Sequence, residues 1–397
     1  MEKAGSRRVL RIFVFLAFLF ATEAGLSITS SSSAAQAKAL WVVRTSLLSS
    51  GSIDRMVNSA ADAGFDNLFV QVCGRADAYF PSRVYPSAEN CRELLESGFD
   101  PLAYVLQKAR ARGIKVHAWV NTLLVWSNGR RPKEAAHVLN SHPDWMMIDH
   151  SGNSLARYSQ SLFRKRGITG VFFSPARPEA AAMLERFILD LVSRYPVDGI
   201  HLDYIRYPMK TVDFSPEARK DFQNIAGVDP LSLFQQADRV KKQKGEDEYN
   251  RLLGKWTARR AEIITEFLAR LSGKLNRLKP ELVRSAAVKP EINSALRIYG
   301  QDWPAWVLQG YLDMVLPMAY STSPDVVHSQ ISQACKAVGR EKVWAGLRAY
   351  DVPVGGIIER VRRIASLEPG GYCFFSYDGV RNNQTFFRKM KDSVLKP

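Results

Sequence analysis

Eight short apolar runs, separated by segments with helical spacing, limit most strongly what this chain can fold into. The runs are Leu40–Leu47, Asn67–Cys73, Lys115–Asn121, Gly199–Ile205, Val283–Glu291, Asp313–Tyr320, Lys342–Tyr350 and Gly371–Asp378. Between them apolar residues recur every three or four positions, as in Ile53, Met56, Val57, Ala60 and Ala61. Leu184, Phe187, Ile188, Leu191 and Val192 repeat the pattern, and Asp100-Pro101 with Gly113 reads as a helix start and stop. Strands that alternate with helices run parallel and are covered on both faces. Eight such units predict an α/β fold, the (β/α)8 TIM barrel. An open doubly wound sheet is the alternative, but no Gly-rich phosphate fingerprint opens the first unit.

The span from Leu40 to Asp378 exceeds the roughly 250 residues common for such a barrel. The surplus falls after strand three, from Thr122 to about Ala176, and after strand four, from Tyr207 to about Asn250. Long connections at the carboxyl ends of strands are where such folds build their sites. The charged run Lys241–Glu248 inside the second reads as a solvated helix face. A single domain is expected over residues 38–397.

Residues 1–24 read as a signal peptide. Lys3, Arg7, Arg8 and Arg11 precede the apolar stretch Ile12–Phe20, which is short for a membrane span. Cleavage is expected after Ala24 or as late as residue 37; an uncleaved anchor is the alternative. Export to the periplasm or beyond follows, with no stable membrane span after processing. The chain carries a formal charge of +16, of which the leader accounts for a net two. A basic exported protein suits an anionic neighbour such as a cell-wall polymer, and export argues against nucleic acid. The four cysteines are too few for a disulfide scaffold, and their spacing matches no zinc site. Cys73 and Cys91 either bridge one loop or remain thiols.

Strand alternation sorts the polar residues. In strand four, within Val197–Pro208, Ile200 and Leu202 share one face and His201 and Asp203 the other. The same rule turns inward Gln71 and Cys73, then His117, Trp119 and Asn121, then Lys289 and Glu291. It also aligns Arg348 with Tyr350 and Ser376 with Asp378. An interior built for packing alone would hold Val, Ile and Leu. Asp203 and Glu291, ending adjacent strands, form the simplest catalytic pair for glycoside hydrolysis: one carboxylate meets the cationic transition state and one acid protonates the leaving oxygen. Arg206, Lys289 and Arg348 are candidates to hold Asp203 ionised. Substrate contacts are expected from Arg75, Asp77, His117, Asn121, His201, Tyr204, Arg206, Tyr207, Lys289, Trp303, Arg348 and Asp378. Asp77 either binds a sugar hydroxyl or pairs with Arg75. Trp126, Trp145 and Trp306 are further stacking candidates.

The residues resemble the bacterial glycosyl-hydrolase-like family 10, a group of exported glycosidases. The likeness is carried by Arg75-Ala76-Asp77-Ala78-Tyr79-Phe80-Pro81-Ser82, Val116-His117-Ala118-Trp119 and His142-Pro143-Asp144-Trp145. It continues through Asp198–Pro208, Gln301-Asp302-Trp303 and Phe374-Phe375-Ser376-Tyr377. The resemblance implies a barrel glycosidase, with some relatives acting on peptidoglycan strands stripped of stem peptides. It also implies a distant likeness to the α-amylase superfamily, where an aspartate ending strand four is the nucleophile and a glutamate ending strand five is the acid. Asp203 and Glu291 stand in those places, and Asn121 at the polar end of strand three. The strand-four phrase is similar to that of chitinases, but Ile205 stands where their glutamate would be.

The function expected is an exported glycoside hydrolase acting on a cell-envelope polysaccharide, with peptidoglycan foremost and no metal or organic cofactor. A non-catalytic glycan-binding barrel is the alternative. A metal-dependent deacetylase would require His117 and His201 to converge with a carboxylate.

Overall fold

The computed structural model describes residues 36–127 and 129–393. The leader expected over residues 1–24 lies outside the described residues. Eight parallel strands close into a barrel: β1 (Ala37–Val42), β2 (Asn67–Cys73), β3 (Lys115–Asn121), β4 (Gly199–Asp203), β5 (Val283–Val288), β6 (Met314–Ala319), β7 (Trp344–Arg348) and β8 (Gly371–Phe375). Each pairs with the next, and β8 returns to β1 with Ala37 opposite Gly371 and Trp41 opposite Phe375. The alternation of elements is the one expected.

Helices cover the outside. They include α1 (Ser50–Asp62), α2 (Pro101–Ala111), α3 (Pro178–Arg194), α4 (Glu246–Leu278), α5 (Ile292–Tyr299), α6 (Trp303–Leu308), α7 (Pro324–Val338) and α8 (Val354–Ala365). Local chemistry sets their ends. Asp100 accepts hydrogen bonds from the Leu102 and Ala103 amides while Pro101 occupies the first turn of α2. Such a cap contributes about 1 kcal/mol. Among the described residues no helix is long and apolar enough to cross a membrane.

Two apolar layers result. Leu40, Val70, Val120, Ile200, Leu202, Ala286 and Val288 pack outward against the helices. Ala39, Trp41, Phe69, Trp119, Ala287, Leu316 and Cys373 fill the interior. Alternation places Trp119 inside and Ile200 and Leu202 outside, as found, but Cys73, expected inside, packs in the outer layer. A register shift between Gln71 and Cys73 inserts an extra residue opposite β3, and parity flips there. Cys73 and Cys91 are separate buried thiols, and burial pushes Cys91 up to about 11.

Gly199, at the amino end of β4, sits where the barrel interior has no room for a side chain. A Cβ built on Gly199 would stand 2.1 Å from His117 Nδ1 and 2.8 Å from the Val283 carbonyl oxygen. Backbone on one side and a packed ring on the other leave no room. Gly199→Ala should therefore cost about 3 kcal/mol or more in urea unfolding; a change below about 0.5 kcal/mol would show that the interior yields there.

The two long connections join each other. Within the first, Leu124–Trp126 pairs antiparallel with Val171–Phe172. The Ile148 amide donates to Asp213 Oδ1 (3.1 Å), the His150 amide to the Thr211 carbonyl (3.1 Å), and Ser174 and Ser215 hydroxyls meet at 3.0 Å. The first connection is sewn to the tip of β4 as well, by Thr122 N to Asp203 O at 2.7 Å and Leu123 N to Tyr204 O at 3.3 Å. A rigid shelf thus stands beside the mouth of the barrel.

Candidate active site

A cavity of about 560 Å³ opens at the carboxyl ends of the strands. Its inner wall is aromatic. Tyr320 stacks on Phe375 (5.7 Å between ring centres), Trp41 meets both edge-on, and Trp119 packs against Phe375 at 6.2 Å. Polar groups occupy the rest: Gln71, Asn121, Asp203, Arg44, Arg206 and Lys289.

Asp203 is the last residue of β4 and is 7% exposed. Tyr204 then turns into the left-handed region at φ 52°, which ends the strand and its alternation. Asp203 and Tyr204 consequently both line the cavity. Oδ1 of Asp203 accepts from the Tyr204 amide (2.6 Å) and from Arg206 (3.1 Å). Among the described residues both hydrogen bonds to this carboxylate fall on Oδ1, which leaves Oδ2 for a ligand. Arg206, itself buried, also lies 4.1 Å over the Tyr204 ring. Burial lowers the Lys289 ammonium, Arg206 adds to the effect, and Asp203 opposes it. Burial raises the Tyr204 phenol, reinforced by Asp203.

Asn121 is fixed by three bonds. Its Oδ1 accepts from Gln71 (3.3 Å) and Trp119 (3.1 Å), and its Nδ2 donates to the Gly74 carbonyl (2.8 Å). Lys289 is held through its backbone, whose amide donates to Gln301 and whose carbonyl accepts from Trp303.

Glu291 is not brought to this cavity. β5 ends at Val288, Pro290 has no N–H with which to continue a ladder, and Glu291 becomes the residue capping α5. It is exposed, and its carboxylate accepts from Gln330 at 2.9 Å. Glu291→Gln should leave catalysis within about threefold of the parent, the scale of an ordinary surface change. A loss of a hundredfold in reducing-end release would restore it to the reaction.

Several other expected contacts also lie elsewhere. His201 is buried two residues below Asp203, about 7 Å down the strand. Its Nε2 accepts from Trp41 Nε1 (3.0 Å), so Nδ1 carries the proton and donates to Ser285 (2.9 Å). His117 lies deeper, stacked on Phe69 at 4.5 Å with Nε2 bonded to Asn67. Among the described residues neither histidine is hydrogen-bonded to a carboxylate, as a deacetylase centre would need. Tyr207 is buried beneath Arg260, 4.3 Å from its guanidinium, and packs against Gly300. Trp303 is fully buried with its indole on the Lys289 carbonyl. Asp378 accepts from the Val43 amide, Thr45 and Ser46, tying the turn after β1 to the end of β8. Asp77 accepts from the Arg75 amide at 2.9 Å and faces Arg75 Nε at 3.6 Å. Arg75 itself lies 4.5 Å over Trp126, and Arg348 folds over Tyr350 at the same distance. Arg75, Asp77, Arg348 and Asp378 thus lie around the cavity, outside its lining.

Trp41, Arg44, Met318 and Tyr320 line the cavity without having been singled out. Applying alternation to β1 and β6 would have found two of them: Trp41 lies between outward Leu40 and Val42, and Met318 beside outward Ala319.

The sequence family described as Glycosyl hydrolase-like 10 matches residues 37–360, from β1 through β7 and into α8. The chain belongs to this family. It is 22% identical over 285 residues to glycosyl hydrolase YngK of Bacillus subtilis, covering 67% of this chain and 48% of that protein. It is 30% identical over 144 residues to glycosyl hydrolase DigH of Escherichia coli K12, covering 35% of this chain and 30% of DigH. The chain therefore spans about half or less of the length of these curated relatives. Among solved structures, the PgaB (BpsB) glycoside hydrolase domain from Bordetella bronchiseptica superposes with a TM-score of 0.69 at 15% identity. That match covers 91% of this chain and 100% of the domain. A β-galactosidase from Bacillus circulans sp. alkalophilus gives 0.62 at 11% identity, covering 90% and 55%. Such distant likenesses establish the barrel, and the family assignment rests on the sequence match.

Proposed function

We propose that this family member hydrolyses glycosidic bonds of a cell-envelope glycan, with peptidoglycan strands as the polymer. The observation that carries the reading is Asp203: a carboxylate at the tip of β4, anchored through one oxygen and lining an aromatic cavity. Barrels of this class place their reacting groups at this end of the strands. A fixed carboxylate there can meet the positive charge that develops on a sugar ring as its glycosidic bond breaks. Trp41, Trp119, Tyr320 and Phe375 offer apolar faces of the kind sugar rings stack on. The names of YngK and DigH as glycosyl hydrolases support the activity. The basic leader and the chain's positive charge support export towards an anionic wall.

One observation favours a second reading. Asp203 is the one carboxylate among the described residues lining the cavity, whereas hydrolysis uses two carboxyl groups roughly 5–10 Å apart. A barrel that binds glycan without cleaving it needs only the aromatics and the polar rim. Incubating the purified protein with peptide-free glycan strands separates the two. New reducing ends support hydrolysis; binding with no new ends over extended incubation overturns it in favour of the binder.

A further inference from the structure

The cavity carries three cations, Arg44, Arg206 and Lys289, against the single anion Asp203. Arg206 is already paired with that anion at 3.1 Å. Arg44 and Lys289 have no carboxylate within 4.0 Å among the described residues.

Arg44 is nevertheless held in place. Its guanidinium donates to Gln71 Oε1 at 2.7 Å, and Gln71 is held in turn by Asn121. A Cβ on Gly74 would lie 2.7 Å from the Arg44 side chain, so only glycine lets the guanidinium lie there. Every partner in this chain is neutral, so the charge is positioned without being compensated. Lys289 is half-buried, with its ammonium 4.8 Å over the Tyr299 ring and its backbone pinned from both sides. Burial and then its neighbour in the cavity, the cation Arg206, disfavour its charge, and Asp203 offsets them only in part. Holding partly desolvated cations with no counter-ion costs free energy that a bound anion would recover. Planar, forked donors such as Arg44 suit a carboxylate in particular.

We propose that Arg44 and Lys289 form a carboxylate subsite, and that the sugar bound in this cavity carries an acidic substituent. This rests on the glycan reading above but not on catalysis. Gln71 and Asn121 are positioning residues that aim the guanidinium. Two sugar types share the chemistry: those with the acid on the ring, as in uronic acids, and those with it on an ether side chain, as in muramic acid freed of peptide.

Binding calorimetry on the whole protein tests it with three oligosaccharides of equal length: peptide-free glycan, the same glycan with its carboxylates converted to amides, and a uronic-acid oligomer. The acidic glycan should bind roughly tenfold or more tightly than its amide, the scale of a charge-assisted bond. The preference should shrink with added salt. Arg44→Gln and Lys289→Gln should each weaken binding of the acidic glycan by about fivefold more than they weaken that of its amide. Arg44→Lys, which keeps the charge, should retain part of the preference. The uronic-acid arm tells which carboxylate placement is read. Equal affinity for acid and amide, or an equal loss of both in the variants, overturns the subsite while leaving the reducing-end assay to judge hydrolysis. Failure of all three to bind overturns both readings.

Discussion

Replacing Asp203 by Asn is expected to slow glycan cleavage by about a thousandfold or more while the barrel stays folded. The substitution is nearly isosteric. Asn retains an oxygen that can accept from the Tyr204 amide and Arg206, the two contacts that now hold Oδ1. It removes the negative charge that the reaction requires opposite a developing oxocarbenium ion. Because that charge matters most in the transition state, kcat should collapse while KM moves little. Reducing-end release reports the first, and far-UV circular dichroism with a melting curve reports the fold. Near-normal hydrolysis by Asp203→Asn would sink the assignment of Asp203. A variant that neither cleaves nor melts cooperatively would instead assign Asp203 to the packing of β4 and its turn.

The barrel was legible because period-two and period-3.6 patterns alternate along the chain with few interruptions. The inward set was legible wherever a strand stays regular, as in β3, where Trp119 and Asn121 both turn inward. Errors cluster where regularity stops. Pro290 ends β5 and carries Glu291 onto a helix cap; the bulge after Gln71 flips Cys73; the turn at Tyr204 sends Tyr207 behind the wall. Alternation also says which face a residue takes but not its depth. His117, His201 and Asp203 share an inward face, yet only Asp203 reaches the cavity. Depth follows from the stagger of a closed sheet, a long-range property that no single strand records.

Acid should destabilise the protein steeply between about pH 6.5 and pH 4, and the two histidines buried inside the barrel, His117 and His201, should account for much of it. His117 is held neutral. Its Nε2–H serves Asn67, while its Nδ1 is buried with no partner, so a second proton would place an unpaired charge inside the barrel. Burial pushes its pKa down from 6.5 to about 4. In the unfolded chain the same ring takes up a proton near its ordinary value of about 6.5. Above that pH neither state binds the proton and no stability is lost. As pH falls towards 4 only the unfolded state gains from protonation, which costs the fold about 3 kcal/mol for His117 alone. His201 acts in the same direction: burial lowers it well below the ordinary range, and its Nε2 is already occupied as an acceptor from Trp41. Urea unfolding at pH 7.5 and pH 4.5 should therefore give a lower midpoint in acid with a similar slope. His117→Phe, which keeps a ring against Phe69 but cannot titrate, should lose less between those two pH values than the parent, whatever its stability at pH 7.5. An unchanged difference would show that the acid sensitivity does not arise at His117.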